Sequence, residues 1–164
     1  FVFGSENDNS IRIWTFQNGI VKIINSGFHG LNDFDANEDL IVGAYDNGFQ
    51  IFNLKSGLLI IKNMPDRAFS IRLLKNGLIA CGIKNNIEFY SYTGNLVMNR
   101  INAHSGDIVS LGETSDMLVS AGRDKNIKTW SYNLLLDKTI NNNDDIDFVL
   151  FTKDDLAFTY QSFF

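Results

Sequence analysis

Apolar and polar positions follow the same arrangement at four places in the chain. Each place has a short apolar run, a polar turn and a second run that ends in an aromatic residue, over thirteen residues without a gap. The four stretches cover 2–14, 40–52, 78–90 and 118–130, and they begin 38, 38 and 40 residues apart. The runs are rich in β-branched and aromatic residues, and the turns in Asn and Asp. The pattern therefore predicts four repeated β-hairpins.

Further short apolar runs flank each predicted hairpin. A third strand is expected after each hairpin, over 20–24, 58–61, 96–101 and 134–140. Another is expected before each later hairpin, over 30–35, 69–74, 108–112 and 146–151. Four short strands thus recur about every 40 residues, and this period is typical of a β-propeller built from four-stranded blades.

The repeat predicts an all-β chain with three complete antiparallel blades, 28–66, 67–102 and 103–141, and partial blades at 1–27 and 142–164. Closed propellers usually have four to eight blades. The simplest interpretation is an incomplete ring whose missing blades belong to the same protein. A four-bladed ring closed by the two partial blades is the alternative, but it would duplicate one strand. Unpaired apolar faces at the two ends lead us to expect that the isolated piece aggregates or dimerises.

Composition and charge narrow the class of protein. The chain is 45% apolar, which is enough for a core, and no apolar run approaches the length of a membrane span. The net charge of −5 and pI of about 4.9 argue against a nucleic-acid-binding protein. The single cysteine, Cys81, excludes an internal disulfide and favours an intracellular, cytoplasmic setting. It lies in an apolar run and is expected to be a buried thiol.

One stretch carries a family resemblance. It runs Ala103-His104-Ser105-Gly106-Asp107, then Leu118-Val119-Ser120-Ala121-Gly122-Arg123-Asp124, and ends at Trp130. This resembles a WD (tryptophan–aspartate) repeat. The resemblance implies a structural tetrad of His104, Ser120, Asp124 and Trp130, in which buried polar groups satisfy one another beneath apolar side chains.

The other stretches match the repeat in part. The matching residues are Asp8 and Trp14 in the first stretch, and His29, Asp46 and Phe52 in the second. In the third, Lys84 stands at the aspartate position and Tyr90 at the aromatic position, so packing alone is expected to hold that blade.

The resemblance also implies a function. WD propellers are non-catalytic scaffolds that bind other proteins or peptides, and no cofactor, nucleic acid or membrane is expected. In such propellers the residue before the turn aspartate tends to face the rim, and tyrosine and arginine are frequent interface anchors. The candidate partner-binding residues are therefore Tyr45, Arg123 and Asn7.

An acidic segment offers an alternative function. Oxygen-bearing side chains alternate at Asp33, Asp35, Asn37 and Asp39, and such side chains can ligate calcium. The segment 33–44 resembles the calcium loop of the extracellular, adhesion-type FG-GAP propellers. However, Glu38 stands where that loop has glycine, and no other blade repeats the segment. A solvated hairpin loop without a metal is the favoured interpretation.

An enzyme is the third alternative. His104, Asp124 and a serine have the composition of a catalytic triad. The repeat spacing instead predicts buried structural groups, and no Gly-x-Ser-x-Gly elbow surrounds any serine. The sequence therefore predicts no enzymatic activity.

Overall fold

The computed structural model describes residues 2–5, 9–15, 19–25, 27–142, 144–146, 148–151 and 157–160. All regular structure in these ranges is β-strand. In the same ranges, no helix is long and apolar enough to span a membrane.

The described strands form five antiparallel sheets in which spatial order follows chain order. The first sheet contains β1 (Val2–Ser5), β2 (Ser10–Thr15) and β3 (Gly19–Asn25). The second contains β4 (Leu31–Ala36), β5 (Leu40–Tyr45), β6 (Gly48–Asn53) and β7 (Leu59–Asn63). The third contains β8 (Ala68–Leu73), β9 (Ile79–Ile83), β10 (Asn86–Tyr90) and β11 (Leu96–Arg100). The fourth contains β12 (Ile108–Glu113), β13 (Leu118–Gly122), β14 (Asn126–Trp130) and β15 (Leu136–Asn141), and the fifth contains β16 (Phe148–Phe151) and β17 (Ala157–Tyr160).

The prediction of three four-stranded sheets between two partial ones is confirmed. Among the described strands, the first and fifth sheets do not pair with each other, so the set of sheets is open.

The hairpin turns differ in a way that the equal thirteen-residue stretches conceal. The β5–β6 turn contains two residues, Asp46 and Asn47, because Tyr45 pairs with Gly48. The β13–β14 turn spans 123–125. Tyr45 and Gly122 occupy equivalent positions. Tyr45 pairs with the first residue of β4, and Gly122 pairs with the first residue of β12. A gap-free alignment of the two stretches is therefore one residue out of register along β5 and β13, and in register again after the turn.

Apolar layers lie between the first and second, the second and third, and the third and fourth sheets. Residues of β5 alternate between two of these layers: Ile41 faces the first sheet, and Leu40 and Val42 face the third. This burial on both sides explains why all six residues of β5 are buried. Cys81 lies in the layer between the second and third sheets, and burial, with a smaller contribution from the nearby Glu88 carboxylate, raises the pKa of its thiol.

Side chains join the inner strands of neighbouring sheets. Asp33 and Asp35 of β4 accept hydrogen bonds from the backbone N–H groups of Ile71 and Leu73 in β8, at 3.0 and 2.9 Å. Donor and acceptor are 38 residues apart in both bonds, which is one repeat, and a bond from β8 to β12 has the same offset. These side chains satisfy backbone groups at strand edges that no neighbouring strand covers.

Candidate functional site: a buried hydrogen-bond chain and the turn above it

Four side chains that the sequence singles out meet in the fourth sheet. His104 Nδ1 lies 2.8 Å from Asp124 Oδ1, and His104 Nε2 lies 2.7 Å from Ser120 Oγ. The indole N–H of Trp130 donates to the same Ser120 oxygen at 2.8 Å. The chain of bonds runs from the end of β14, across β13, to the turn between them.

One arrangement of protons makes all three bonds and also gives every hydrogen in the chain an acceptor. The indole nitrogen of Trp130 is a donor only, so Ser120 Oγ accepts from it and directs its own hydrogen to His104 Nε2. His104 is then neutral, with its proton on Nδ1 pointing at the Asp124 carboxylate. Protonation of Nε2 would leave the Ser120 hydroxyl hydrogen without an acceptor among these groups. This agrees with the effect of burial, which lowers the pKa of His104 despite the opposing hydrogen bond and charge of Asp124.

Asp124 also holds the turn in place. Its carboxylate accepts from the backbone N–H groups of Ser105 and Asn126 at 2.9 and 3.1 Å. Burial would raise the pKa of Asp124, but the hydrogen bonds from His104, Ser105 and Asn126 outweigh burial and hold the pKa at about 2. The carboxylate is therefore ionised at neutral pH and binds both the turn and the segment before β12.

The packing around the imidazole depends on a glycine. A Cβ at Gly122 would lie 2.5 Å from His104 Nδ1, so a larger residue at this position would displace the ring. Ser120 and His104 are only 1% and 2% exposed. A substrate has no access to Ser120 Oγ, and the arrangement supports the turn rather than a nucleophilic reaction.

An aromatic ring fills the corresponding place in the second sheet. Strand pairing puts Gly43 at the position of Ser120, and a Cβ on Gly43 would lie 3.0 Å from the ring of Tyr45. Tyr45 is 0% exposed and packs against Phe28 with ring centroids 5.4 Å apart. Its hydroxyl accepts a hydrogen bond from Gln50 Nε2 at 2.7 Å. The prediction that Tyr45 contacts a partner is wrong, because the shorter turn leaves this residue on the strand, facing the core.

The partial tetrad of the second sheet does not assemble. The Asp46 carboxylate bonds to Arg67 Nε at 2.5 Å and to Asn32 Nδ2 at 3.2 Å. His29 is exposed, and its backbone carbonyl accepts from the Asp46 N–H at 3.2 Å. Phe52 is buried at the end of β6. The assignment of His29 and Asp46 to a second tetrad is therefore wrong.

Two predicted residues, Asp8 and Asn7, lie outside the described residues. Trp14 lies in β2 at a shift in strand register like that before Trp130, and it is partly buried. In the third sheet, Lys84 forms an ion pair with Asp66, and the Tyr90 ring packs against Phe49 at 4.6 Å.

The four candidate calcium ligands do not converge on one point. Asp33 and Asp35 bind the backbone of β8, and Asp33 also contacts Arg72 at 2.9 Å. The side chain of Asn37 accepts from the backbone N–H groups of residues 39 and 40, and Asp39 pairs with Lys55. No group of three or more His, Cys, Asp or Glu residues in the described part of the chain could hold a metal ion. These contacts contradict the calcium-loop alternative.

Arg123 is exposed in the three-residue turn, as expected for a rim residue. Its guanidinium carbon lies 5.7 Å from the centre of the Phe69 ring. Sequence reasoning missed Phe69 and the nearby Arg67, because no repeat position distinguishes them. It also missed the links from Asp33 and Asp35 to β8, which the 38-residue offset could have indicated.

Comparisons with known proteins agree with this architecture. The WD40 beta propeller domain of Doa1 superposes with a TM-score of 0.81 at 15% identity, covering 96% of this chain and 56% of that one. The computationally designed Ika8 protein superposes with a TM-score of 0.79 at 15% identity, covering 97% and 54% of the two chains. For the designed Ika4 protein the TM-score is 0.66 at 14% identity, with coverage of 80% and 90%.

The chain has a β-propeller fold. It spans about half the length of the Doa1 and Ika8 chains that it resembles. No protein-family model matches it, and no curated protein sequence matches it significantly. At these identities the likeness shows the fold alone.

Proposed function

We propose that this propeller is of the WD-repeat type and acts as a non-catalytic scaffold for other proteins or peptides. Its complete blades are then 28–66, 67–102 and 103–141. The WD-repeat assignment is supported by the bond chain from Trp130 through Ser120 and His104 to Asp124, since these residue types occupy the places that a WD repeat gives them.

One observation carries the scaffold proposal: the His104 and Ser120 side chains are buried in the core, while the turn that Asp124 holds by hydrogen bonds exposes Arg123 and Lys125. The turn 123–125 is anchored by Asp124, and the two-residue turns of the second and third sheets lie beside the segments that lead into β4 and β8. Rigid frames that present exposed loops are suited to binding other macromolecules.

The test is partner capture with matched surface variants. Tagged chain is crosslinked in a lysate of its source cells, and captured proteins are identified by mass spectrometry. Asn47→Glu combined with Lys84→Glu alters two turns of one face, and Lys138→Glu combined with Leu96→Glu alters exposed outer strands. A specific partner should be lost with the turn variant and retained with the outer-strand variant. Equal loss with both variants would contradict binding through the turns.

A further inference from the structure

The first strand of each complete sheet has a bulge at the same position. Strand pairing skips Asn32 in β4, Phe69 in β8 and Val109 in β12. A bulge redirects the side chain of the extra residue and is frequent beside functional sites. In β8 the redirected side chain is a partly exposed aromatic ring.

Two guanidinium groups lie over the Phe69 ring. The Cζ atoms of Arg67 and Arg123 are 5.0 and 5.7 Å from the ring centre. Arg67 comes from the segment before β8, whereas Arg123 comes from the turn of the next sheet. Stacking on an aromatic ring restrains a planar guanidinium and leaves its N–H groups available at the edge.

Among the described residues around Phe69, the other basic side chains have acidic partners and Arg123 does not. Ion pairs join Arg67 to Asp46, Lys84 to Asp66, and Lys125 to Asp145, and Asp124 binds His104. Asp107 contacts Arg123 through its backbone carbonyl, which accepts the Arg123 N–H at 2.8 Å. Within the described residues, no carboxylate forms an ion pair with the Arg123 guanidinium.

We propose that Arg123, Phe69 and Arg67 form a docking surface for an acidic peptide. A peptide carboxylate binds the guanidinium edge of Arg123, and an adjacent apolar side chain packs on Phe69. This inference rests on the proposed scaffold function and names the partner's chemistry. Arginine suits the binding of an acidic peptide because a guanidinium binds a carboxylate through two parallel hydrogen bonds.

A nucleic acid fits the same surface less well. A polyanion must neutralise many phosphates to gain affinity. Here Asp46, Asp66 and Asp107 lie on the segments around the arginines, and the whole chain carries a net charge of −5. A peptide with one or two carboxylates needs only the local cation and the ring.

Fluorescence anisotropy tests the surface directly. The probes are a labelled ten-residue peptide of Gly and Ser with a central Glu-Leu-Glu segment (the Glu peptide), its counterpart with both Glu replaced by Gln (the Gln peptide), and a labelled oligouridylate. The wild-type chain should bind the Glu peptide at least about tenfold more tightly than the Gln peptide, which corresponds to one charge-assisted contact of about 1.4 kcal/mol. Arg123→Gln should remove most of that preference.

Arg100→Gln is the matched control. Arg100 is also an exposed arginine over an aromatic ring, 5.9 Å from the centre of Trp130, but it lies on the outer strand β11. Its substitution should change the Glu-peptide affinity less than about twofold. Circular dichroism melting of both variants shows whether the fold is retained.

Three results would overturn the assignment: no preference of the wild type for the Glu peptide, equal loss in Arg100→Gln and Arg123→Gln, or tighter binding of the oligouridylate. Partner capture separates this failure from failure of the scaffold. If a partner is lost with the Asn47→Glu and Lys84→Glu variant but kept with Arg123→Gln, the scaffold stands and the acidic-peptide surface does not.

Discussion

The second and fourth sheets have the same strand order but fill the space beneath their hairpin turns with different side chains. In the fourth, Gly122 leaves room for His104, and a polar chain leads from the indole of Trp130 to the turn. In the second, Tyr45 stands at the position of Gly122 and fills the space with its own ring. The sheet therefore does not require the tetrad, whereas the three-residue turn is held by it.

The comparison also explains a difference in exposure. In the second sheet the ring of Tyr45, the last residue of β5, points into the core beneath the hairpin turn. Tyr45 pairs with Gly48, so only two residues remain for the turn. Where glycine and histidine share the space, the chain has an additional turn residue, and Arg123 is directed outward. The choice of core chemistry thus determines what the turn can present to a partner.

The largest expected effect is the loss of the ring in the second sheet. Tyr45→Ala should lower the free energy of unfolding by about 3–5 kcal/mol, because it leaves a cavity beside Gly43. Urea unfolding followed by circular dichroism measures this. Tyr92→Ala, at a tyrosine that is 36% exposed, is the control and should cost less than about 1 kcal/mol. Similar losses in both variants would show that Tyr45 does not fill a core position.

The two histidines should differ clearly. His104→Ala leaves the buried hydroxyl hydrogen of Ser120 without its acceptor and removes one donor from the Asp124 carboxylate, which should cost about 2–3 kcal/mol. His29→Ala changes an exposed residue and should stay within about 0.5 kcal/mol of the wild type. The same unfolding experiment compares them, and a larger loss at His29 would reverse our assignment of the tetrad.

A smaller effect is expected when only the indole N–H is removed. Trp130→Phe keeps an aromatic ring at the end of β14 but deletes the donor to Ser120, which should cost about 1 kcal/mol. The remaining bonds of His104 still hold the turn, so amide exchange in 123–126 should remain slow. Loss of that protection would mean that the indole itself anchors the turn.

The smallest effect is on pH dependence. The pKa of His104 is lowered from 6.5, so the unfolded chain binds a proton at a higher pH than the folded chain does. The free energy of unfolding should therefore fall as pH drops through about 6.5. The pKa of Asp124, about 2 against 3.8, adds a further loss below pH 4.

The variant His104→Gln isolates the histidine contribution. Its stability should change less between pH 7.5 and 5 than that of the wild type in parallel urea titrations. Asp33 acts in the opposite direction, since burial raises the pKa of its carboxyl, but it is present in both proteins and cancels in the difference. Identical slopes would contradict a neutral, buried His104.

Much of the architecture could be predicted from local sequence. The period of about 40 residues and the alternation of apolar runs with Asn-rich turns located all four hairpins, since strand and turn preferences act over a few residues. The spacing from His104 to Trp130 pointed to one tetrad because its members match a family pattern.

The prediction for Tyr45 was wrong because the hairpin turns differ in length by one residue, and this difference changes which side chains face the core. Tyr45 and Arg123 look equivalent in a gap-free alignment, yet one is buried and the other exposed. Alternation between the two faces has a period of two, so a shift of one residue reverses the direction of a side chain.

The sequence by itself determined the number and order of strands and the residue types able to form the buried bond chain, because these depend on short-range preference and spacing. Only the tertiary structure decided which polar groups meet. Asp33 and Asp35 accept hydrogen bonds from the neighbouring inner strand, Asp46 forms an ion pair with Arg67, and the guanidinium groups of Arg67 and Arg123 both lie over the Phe69 ring. Those contacts depend on how adjacent sheets stack. The stacking is set by packing between residues about one repeat apart in the chain, which local sequence preferences do not determine.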